Sequence, residues 1–132
     1  MKEFTVILNS QADLTELAER IGNSGINILT LSMDSDGEKG ATVHLVTSDD
    51  TSCREVLRQG RYSFKEEEII TVTIDDKPGS LARLLMKLKR VAVGVRSIYI
   101  INKKDGKAEF VMNLDNMKEG KKLLFEKLGL EP

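Results

Sequence analysis

The chain has 132 residues and a mass of 14.7 kDa, with 40% hydrophobic and 31% charged side chains, a composition that suits a folded globular protein and excludes a disordered one. Twenty basic residues against 21 acidic ones leave a formal net charge of -1, which gives no electrostatic reason to expect nucleic acid or an anionic membrane as partner. The single cysteine, Cys53, excludes an internal disulfide, and the single histidine, His44, argues against a zinc site or a histidine-based triad within one chain.

In chain order, residues 4–8 are apolar and β-branched and read as a strand. Residues 12–23 carry Leu14, Leu17, Ala18 and Ile21 on one helical face. Asn23-Ser24-Gly25 ends that helix, and residues 26–33 read as a second strand. Asp34-Ser35-Asp36-Gly37 and Gly40 supply turn chemistry before a third strand at 41–47. Asp49 and Asp50 are placed to cap a helix over 51–59 that buries Cys53, Val56 and Leu57. A fourth strand is expected near 61–64, with Glu66-Glu67-Glu68 as a solvated junction.

The order then repeats. Residues 69–74 read as a strand, 80–90 as a helix with Leu81, Leu84, Leu85 and Leu88 inward, and 93–102 and 107–114 as strands. Lys104-Asp105-Gly106 joins the last two, because Asp-Gly favours a tight hairpin turn. Residues 116–128 form a closing helix with Met117, Gly120, Leu124 and Leu128 on one face. The helical stripe Leu14, Leu17, Ile21 recurs as Leu81, Leu84, Leu88 at an offset of 67, and the same offset pairs Ile7 with Ile74, Ile26 with Val93 and Val43 with Phe110. The chain is therefore expected to hold two modules, residues 1–66 and 67–132. Each reads β-α-β-β-α(-β), the ferredoxin-like motif, an antiparallel sheet with helices on one face. The second module lacks room for its last strand. Phe4, Val6 and Leu8 interleaved with Ile7, and the run Ile98-Tyr99-Ile100-Ile101, suggest that both sheet faces are apolar and that another module or chain covers the second.

The segment Asp75-Asp76-Lys77-Pro78-Gly79-Ser80-Leu81 joins a strand to a helix. Pro fixes φ at the helix entry and Gly lets another molecule approach the backbone. The first-turn N–H groups can receive a carboxylate and Asp76 an ammonium, which together describe a site for a free amino acid. A plain helix start followed by a turn is the competing explanation.

Asp76-Lys77-Pro78-Gly79-Ser80-Leu81, the leucine stripe and Val93-Gly94-Val95 resemble the opening of an ACT domain, a small regulatory module that binds amino acids. Leu14, Leu17, Ile21 and Gly25-Ile26-Asn27-Ile28 resemble the same pattern, so nearly the whole chain looks like two tandem ACT modules without a catalytic domain. The resemblance implies a ligand between the strand–helix loop of one module and the second-strand start of its neighbour. It assigns Asp76, Lys77, Pro78, Gly79, Ser80 and Leu81, with Asn27 and Ile28, to the better-matched site. Asn9, Ser10, Gln11 and Ala12, with Gly94 and Val95, form a weaker one, since Gln11 and Ala12 replace the Pro and Gly and Gly94 lacks a polar side chain.

His44 reads as an ordinary strand residue and Cys53 as a buried helix residue. Lys103, Lys104 and Lys107 read as blunting a hairpin edge. Ser10, Ser80 and Ser97 have no base at a motif spacing, so no catalytic residue, metal site or cofactor is expected. The loops lack the arginine an acylphosphatase needs, and the sheets lack the aromatics of an RNA platform. No stretch has the ~18 consecutive apolar residues of a membrane span, and the first residues hold no run of signal-peptide length. The expectation is a cytoplasmic, non-catalytic sensor of a free amino acid, forming a homodimer, with no nucleic acid or membrane partner. The alternative is a regulatory subunit of a separate amino-acid biosynthetic enzyme, such as acetolactate synthase.

Overall fold

The computed structural model describes residues 1–35 and 40–132. The turn expected through Asp36 and Gly37 falls outside the described residues. The chain forms two compact units, Met1–Glu68 and Ile69–Pro132.

The first unit runs β1 (Lys2–Leu8), α1 (Asp13–Asn23), β2 (Ile28–Ser35), β3 (Ala41–Thr47), α2 (Asp50–Gln59) and β4 (Ser63–Glu68). Its sheet has the order β2-β3-β1-β4 with every neighbouring pair antiparallel. Phe4, Val6 and Leu8 of β1 join Val43 and Leu45 of β3 against Leu17, Ile21, Cys53 and Leu57 of the helices, so one core lies between the sheet and a single helical layer. The Asp49 side chain accepts the Ser52 amide at 3.0 Å and the Ser52 hydroxyl at 2.7 Å, which starts α2 and holds that carboxyl below its usual range. Burial pushes the Cys53 thiol up to about 11 and keeps it protonated.

The fourth strand lies later than expected. It begins at Ser63 and runs through all three glutamates. Glu66 faces the helices, opposite Phe4, where Arg54 of α2 donates to it twice, at 2.7 and 2.8 Å. The guanidinium also lies 6.0 Å above the Phe4 ring. The paired hydrogen bonds hold Glu66 below the usual carboxylate range.

The second unit runs β5 (Ile70–Asp75), α3 (Ser80–Arg90), β6 (Val95–Lys104), β7 (Lys107–Leu114), α4 (Met117–Lys121) and a π-helical segment (Lys122–Lys127). Its three strands are antiparallel in the order β5-β7-β6. The place of a fourth strand is reduced to one bridge, in which Thr73 N–H donates to the Glu131 carbonyl at 2.8 Å. Val72, Leu84, Leu88, Phe110, Met112 and Leu124 lead the core. Asp105 and Gly106 both take positive φ, 53° and 73°, in the two-residue hairpin turn the sequence requires. The closing helix widens after Lys121, with Leu128 N–H bonding the Leu123 carbonyl at 2.9 Å. Leu123 and Leu124 are both buried on this segment.

Two expectations from the sequence change. Leu17 and Ile21 match Leu84 and Leu88 at the offset of 67, but the inward residues of β1 and β5 are Phe4, Val6, Leu8 and Ile70, Val72, Ile74, an offset of 66. Ile7 is 50% exposed while Ile74 is buried, so the two are not equivalent. From the last inward strand residue to the helix start the second unit has one residue more, Ile74 to Ser80 against Leu8 to Asp13, taken up by the longer reach of β5 to Asp75.

The outer sheet faces are mixed: Val46 of β3 and Val111 of β7, outside the two sheet–helix cores, are fully buried as the apolar expectation requires, whereas β1 turns a more polar set outward. In β1 the outward set is Glu3, Thr5 and Ile7, and its neighbours across the ladder are Thr42, His44, Lys65 and Glu67. His44 Nδ1 sits 3.3 Å from Thr5 Oγ1 and 3.5 Å from Glu3 Oε1 on that polar face. In β6 the isoleucine run is broken by a bulge between Ile100 and Asn102 rather than lining two faces evenly.

Candidate functional site

β5 delivers the 75–79 loop to the start of α3, and the β6–β7 hairpin holds it from the side. The Asp76 amide donates to the Gly106 carbonyl at 2.9 Å. Asp75 pairs with Lys107 directly across the ladder, and the Lys107 ammonium holds the Asp75 carboxyl below its usual range. Asp76 Oδ1 lies 3.3 Å from Lys103 Nζ. The carboxylate expected to take a ligand's ammonium is thus already beside one from the protein.

Gly79 stands at the N-cap of α3 with φ +87°, a left-handed conformation that glycine adopts without strain. No side chain caps this helix, and its first turn holds no acidic residue. The Ser80 amide bonds Lys77 and the Arg83 amide bonds Gly79, at 3.1 and 3.0 Å. Arg83 folds back so that Nη2 lies 3.3 Å from Ser80 Oγ. The helix start is therefore electropositive from both its dipole and Arg83. Lys77 and Pro78 are exposed at the tip of the loop, while Leu81 is half-buried against the core. A groove of about 280 Å³ opens alongside, lined by Ile74, Asp75, Ser80, Arg83, Leu84 and Lys107 among others.

The equivalent region of the first unit is built differently. Ser10, Gln11 and Ala12 wind directly into α1, with the Asp13 amide on the Ser10 carbonyl at 3.1 Å and the Leu14 amide on Gln11 at 3.3 Å. Ala12 at the N-cap is right-handed, and Asp13 and Glu16 occupy the first turn. Two carboxylates at a helix start oppose a third. The groove beside it, about 260 Å³, is lined by Asn9, Asp13, Glu16, Arg61 and Tyr62 among others.

The second-strand starts share one device. Asn27 donates its amide to Ser48 Oγ at 3.0 Å and accepts the Ser48 amide at 2.9 Å. Gly94 donates its amide to Asp115 Oδ1 at 2.8 Å and accepts the Asp115 amide at 3.0 Å. Both partners are displaced by 67 between the units. A Cβ on Gly94 would meet Asp115 Oδ2 at 2.5 Å, so the larger side chain at 115 takes the space a side chain at 94 would need. The missing polar residue thus has a packing cause. Asn27 is exposed, and Ile28 and Val95 pack against their own cores.

Sequence reasoning did not find Lys103, Lys107, Gly106 or Asp115 as neighbours of these loops. Pairing the first and third strands of a ferredoxin-like unit would have placed Lys107 opposite Asp75. Among the described residues, no group of three or more histidine, cysteine or acidic side chains is arranged to hold a metal ion. No helix among them is long and apolar enough to cross a membrane.

No family model and no curated protein matches the chain by sequence. Among solved structures, a protein from Bacteroides thetaiotaomicron matches with a TM-score of 0.88 at 18% identity, over 98% of this chain and 89% of that one. The ligand-free regulatory subunit of aspartate kinase from Thermus thermophilus matches with a TM-score of 0.65 at 9% identity, over 95% and 90%. A putative C-terminal regulatory domain of aspartate kinase from Porphyromonas gingivalis gives 0.57 at 16% identity, over 96% and 91%. At these identities the likeness speaks for fold alone: the chain has the α+β fold of these aspartate kinase regulatory proteins, built from two βαββαβ-like units and compatible with the ACT arrangement.

Proposed function

We propose that this chain is a non-catalytic regulatory protein that binds a free amino acid at the 75–79 loop and the start of α3. The observation that carries this reading is the uncapped start of α3 at Gly79, with Asp76 in the same loop. The first-turn amides receive the α-carboxylate, an interaction of about 0.3–1 kcal/mol at such a helix end. Asp76 takes the ammonium in place of Lys103. Asn27, exposed at the start of β2 and fixed through its backbone to Ser48, is the second contributor. Asn9 and Gly94 form the weaker counterpart, since Asp13 and Glu16 disfavour a carboxylate at α1. Binding selects one arrangement of the protein and passes that choice to a partner or to its own assembly. Likeness to aspartate kinase regulatory proteins supports the regulatory part of the reading.

Calorimetric titration with the twenty amino acids tests it. Asp76→Ala and Asn27→Ala are expected to weaken binding about tenfold or more, equivalent to about 1.4 kcal/mol. Lys103→Ala is expected to strengthen it by removing the competing ammonium, and Asn9→Ala to leave it unchanged. Loss of binding on Asn9→Ala alone reverses the assignment, and no binding by any amino acid ends the reading.

A further inference from the structure

Both units follow one plan, but only the first completes its sheet. β4 lies along the outer edge of β1 from Lys2, opposite Glu68, to Ile7, opposite Ser63. β5 holds the place of β1 in the second unit, and among the described residues its outer edge meets a single bridge, at Glu131. The Thr73 amide donates to that bridge. Strand alternation therefore turns the Thr71 and Asp75 amides to the same edge and leaves the β7 ladder to Ile70, Val72 and Ile74. An unpaired strand edge is a template for another extended segment.

The first unit shows what such a segment carries. Phe64 stands opposite Val6 and packs against the core, and Glu66 stands opposite Phe4, where Arg54 holds it. At the offset of 66, Val72 and Ile70 take the places of Val6 and Phe4. At the offset of 67, the buried Cys53, Val56 and Leu57 of α2 correspond to the buried Gly120, Leu123 and Leu124, which puts Lys121 in the place of Arg54. Lys121 is half-buried and already engaged within the chain, so an incoming carboxylate joins or exchanges that contact.

The entry to the strand differs in sign between the units. Arg61, just before β4, lines one groove with Asp13 and Glu16. The groove of the second unit has Arg83, Lys87 and Lys107 beside Thr73, Leu128 and Leu130. Arg83 and Lys87 are exposed, and among the described residues neither forms an ion pair. Total charge agrees with this. Residues Met1–Glu68 hold 7 basic and 13 acidic side chains, and Ile69–Pro132 hold 13 basic and 8 acidic, so the -1 of the chain is the sum of -6 and +5.

We propose that the outer edge of β5 is a docking site for an extended acidic segment of a partner protein, which adds antiparallel as the fourth strand of the second unit. The segment displaces the Glu131 bridge and takes the amides of Thr71, Thr73 and Asp75, a full ladder in place of one hydrogen bond. It carries an acid at its entry for Arg83 and Lys87, an apolar residue opposite Val72 and a second acid opposite Ile70 for Lys121. A nucleic acid or a lipid surface answers the bases but has no peptide backbone to offer the edge. This docking does not depend on amino-acid binding.

A fluorescein-labelled synthetic peptide with the sequence of residues 61–68 and Arg61→Glu within it is the probe, titrated by anisotropy with the full chain in the absence of amino acids. Saturable binding is expected, weaker for the peptide that keeps Arg61 and absent for a scrambled sequence. Thr71→Pro in the protein removes an edge amide while leaving the β7 ladder intact, and is expected to abolish binding with the circular dichroism unchanged. Lys121→Glu is expected to weaken binding about tenfold and to restore it for a peptide carrying Glu66→Lys, an exchange that a folding defect could not produce. No binding of the probe overturns the proposal, as do equal binding of the scrambled peptide and indifference to both protein substitutions. A full chain that sediments as a dimer and becomes a monomer on Thr71→Pro also overturns it, because a second copy then holds the edge. None of these outcomes bears on the calorimetric test of amino-acid binding.

Discussion

Gly94 and Asp115 illustrate how a residue can look degenerate in sequence and be required in structure. Gly94 lacks the polar side chain of Asn27, yet its amide is held by the Asp115 carboxylate as the Asn27 amide is held by Ser48. The two pairs exchange bulk: a large residue on the strand start with a small partner, or the reverse. Gly94→Asn alone must drive the Asp115 carboxylate off and lose its hydrogen bond, and is expected to cost about 1–2 kcal/mol. Adding Asp115→Ser recreates the pair of the first unit and should recover most of that loss. Urea unfolding midpoints of the single and double variants measure it, and equal midpoints would contradict the steric account. Position 94 alone could not reveal this in the sequence, because its partner lies 21 residues further on.

At the scale of elements, legibility followed local chemistry. The bounds of α3 and β7 follow from a leucine stripe bracketed by Gly79 and from an Asp-Gly turn, and both lie where expected. The repeat was legible through its helices, which keep their spacing. It slipped in the first strands, where alternating apolar residues allow Ile7 or Leu8 to be matched with Ile74 and only burial decides. β4 was misplaced because three consecutive glutamates carry no strand signal. Its Glu66 turns inward only because Arg54, on a different element, is there to receive it. The wide turns after Lys121 have no local signature in the sequence. In the candidate site the glycine and the bare helix start were legible, whereas the hairpin lysines that meet the two aspartates depend on strand pairing.

For the whole molecule, the hydrogen-bonded carboxylates set an acid limit. Asp49, Glu66 and Asp75 all lie below their usual values in the folded protein, through Ser52, Arg54 and Lys107 respectively. A lowered folded value adds stability that is fully present above the unfolded value and is lost as pH falls through the folded one. The urea midpoint is therefore expected to be flat from neutral pH down to about 5 and to fall below about 4. Arg54→Met should lower the neutral plateau and make the acid fall shallower. An unchanged profile in that variant would show that Glu66 has no part in it. The -1 net charge read at the outset is equally a property of the whole rather than of its parts, because two opposed units sum to near neutrality.

The lone bridge between Thr73 and Glu131 carries a consequence for the order in which the molecule opens. β1 is held by a full ladder on each side, but among the described residues β5 has one ladder and this single bridge. Since the Thr73 amide points to that edge, strand alternation puts the Thr71 and Asp75 amides on it too. In hydrogen–deuterium exchange these two should lose protection before the amides of β1, and the second unit should begin to open at β5. A β5 edge as slow to exchange as β1 would refute this. Any segment able to lend it a strand would slow that opening, so the stability of this edge depends on what lies beside it.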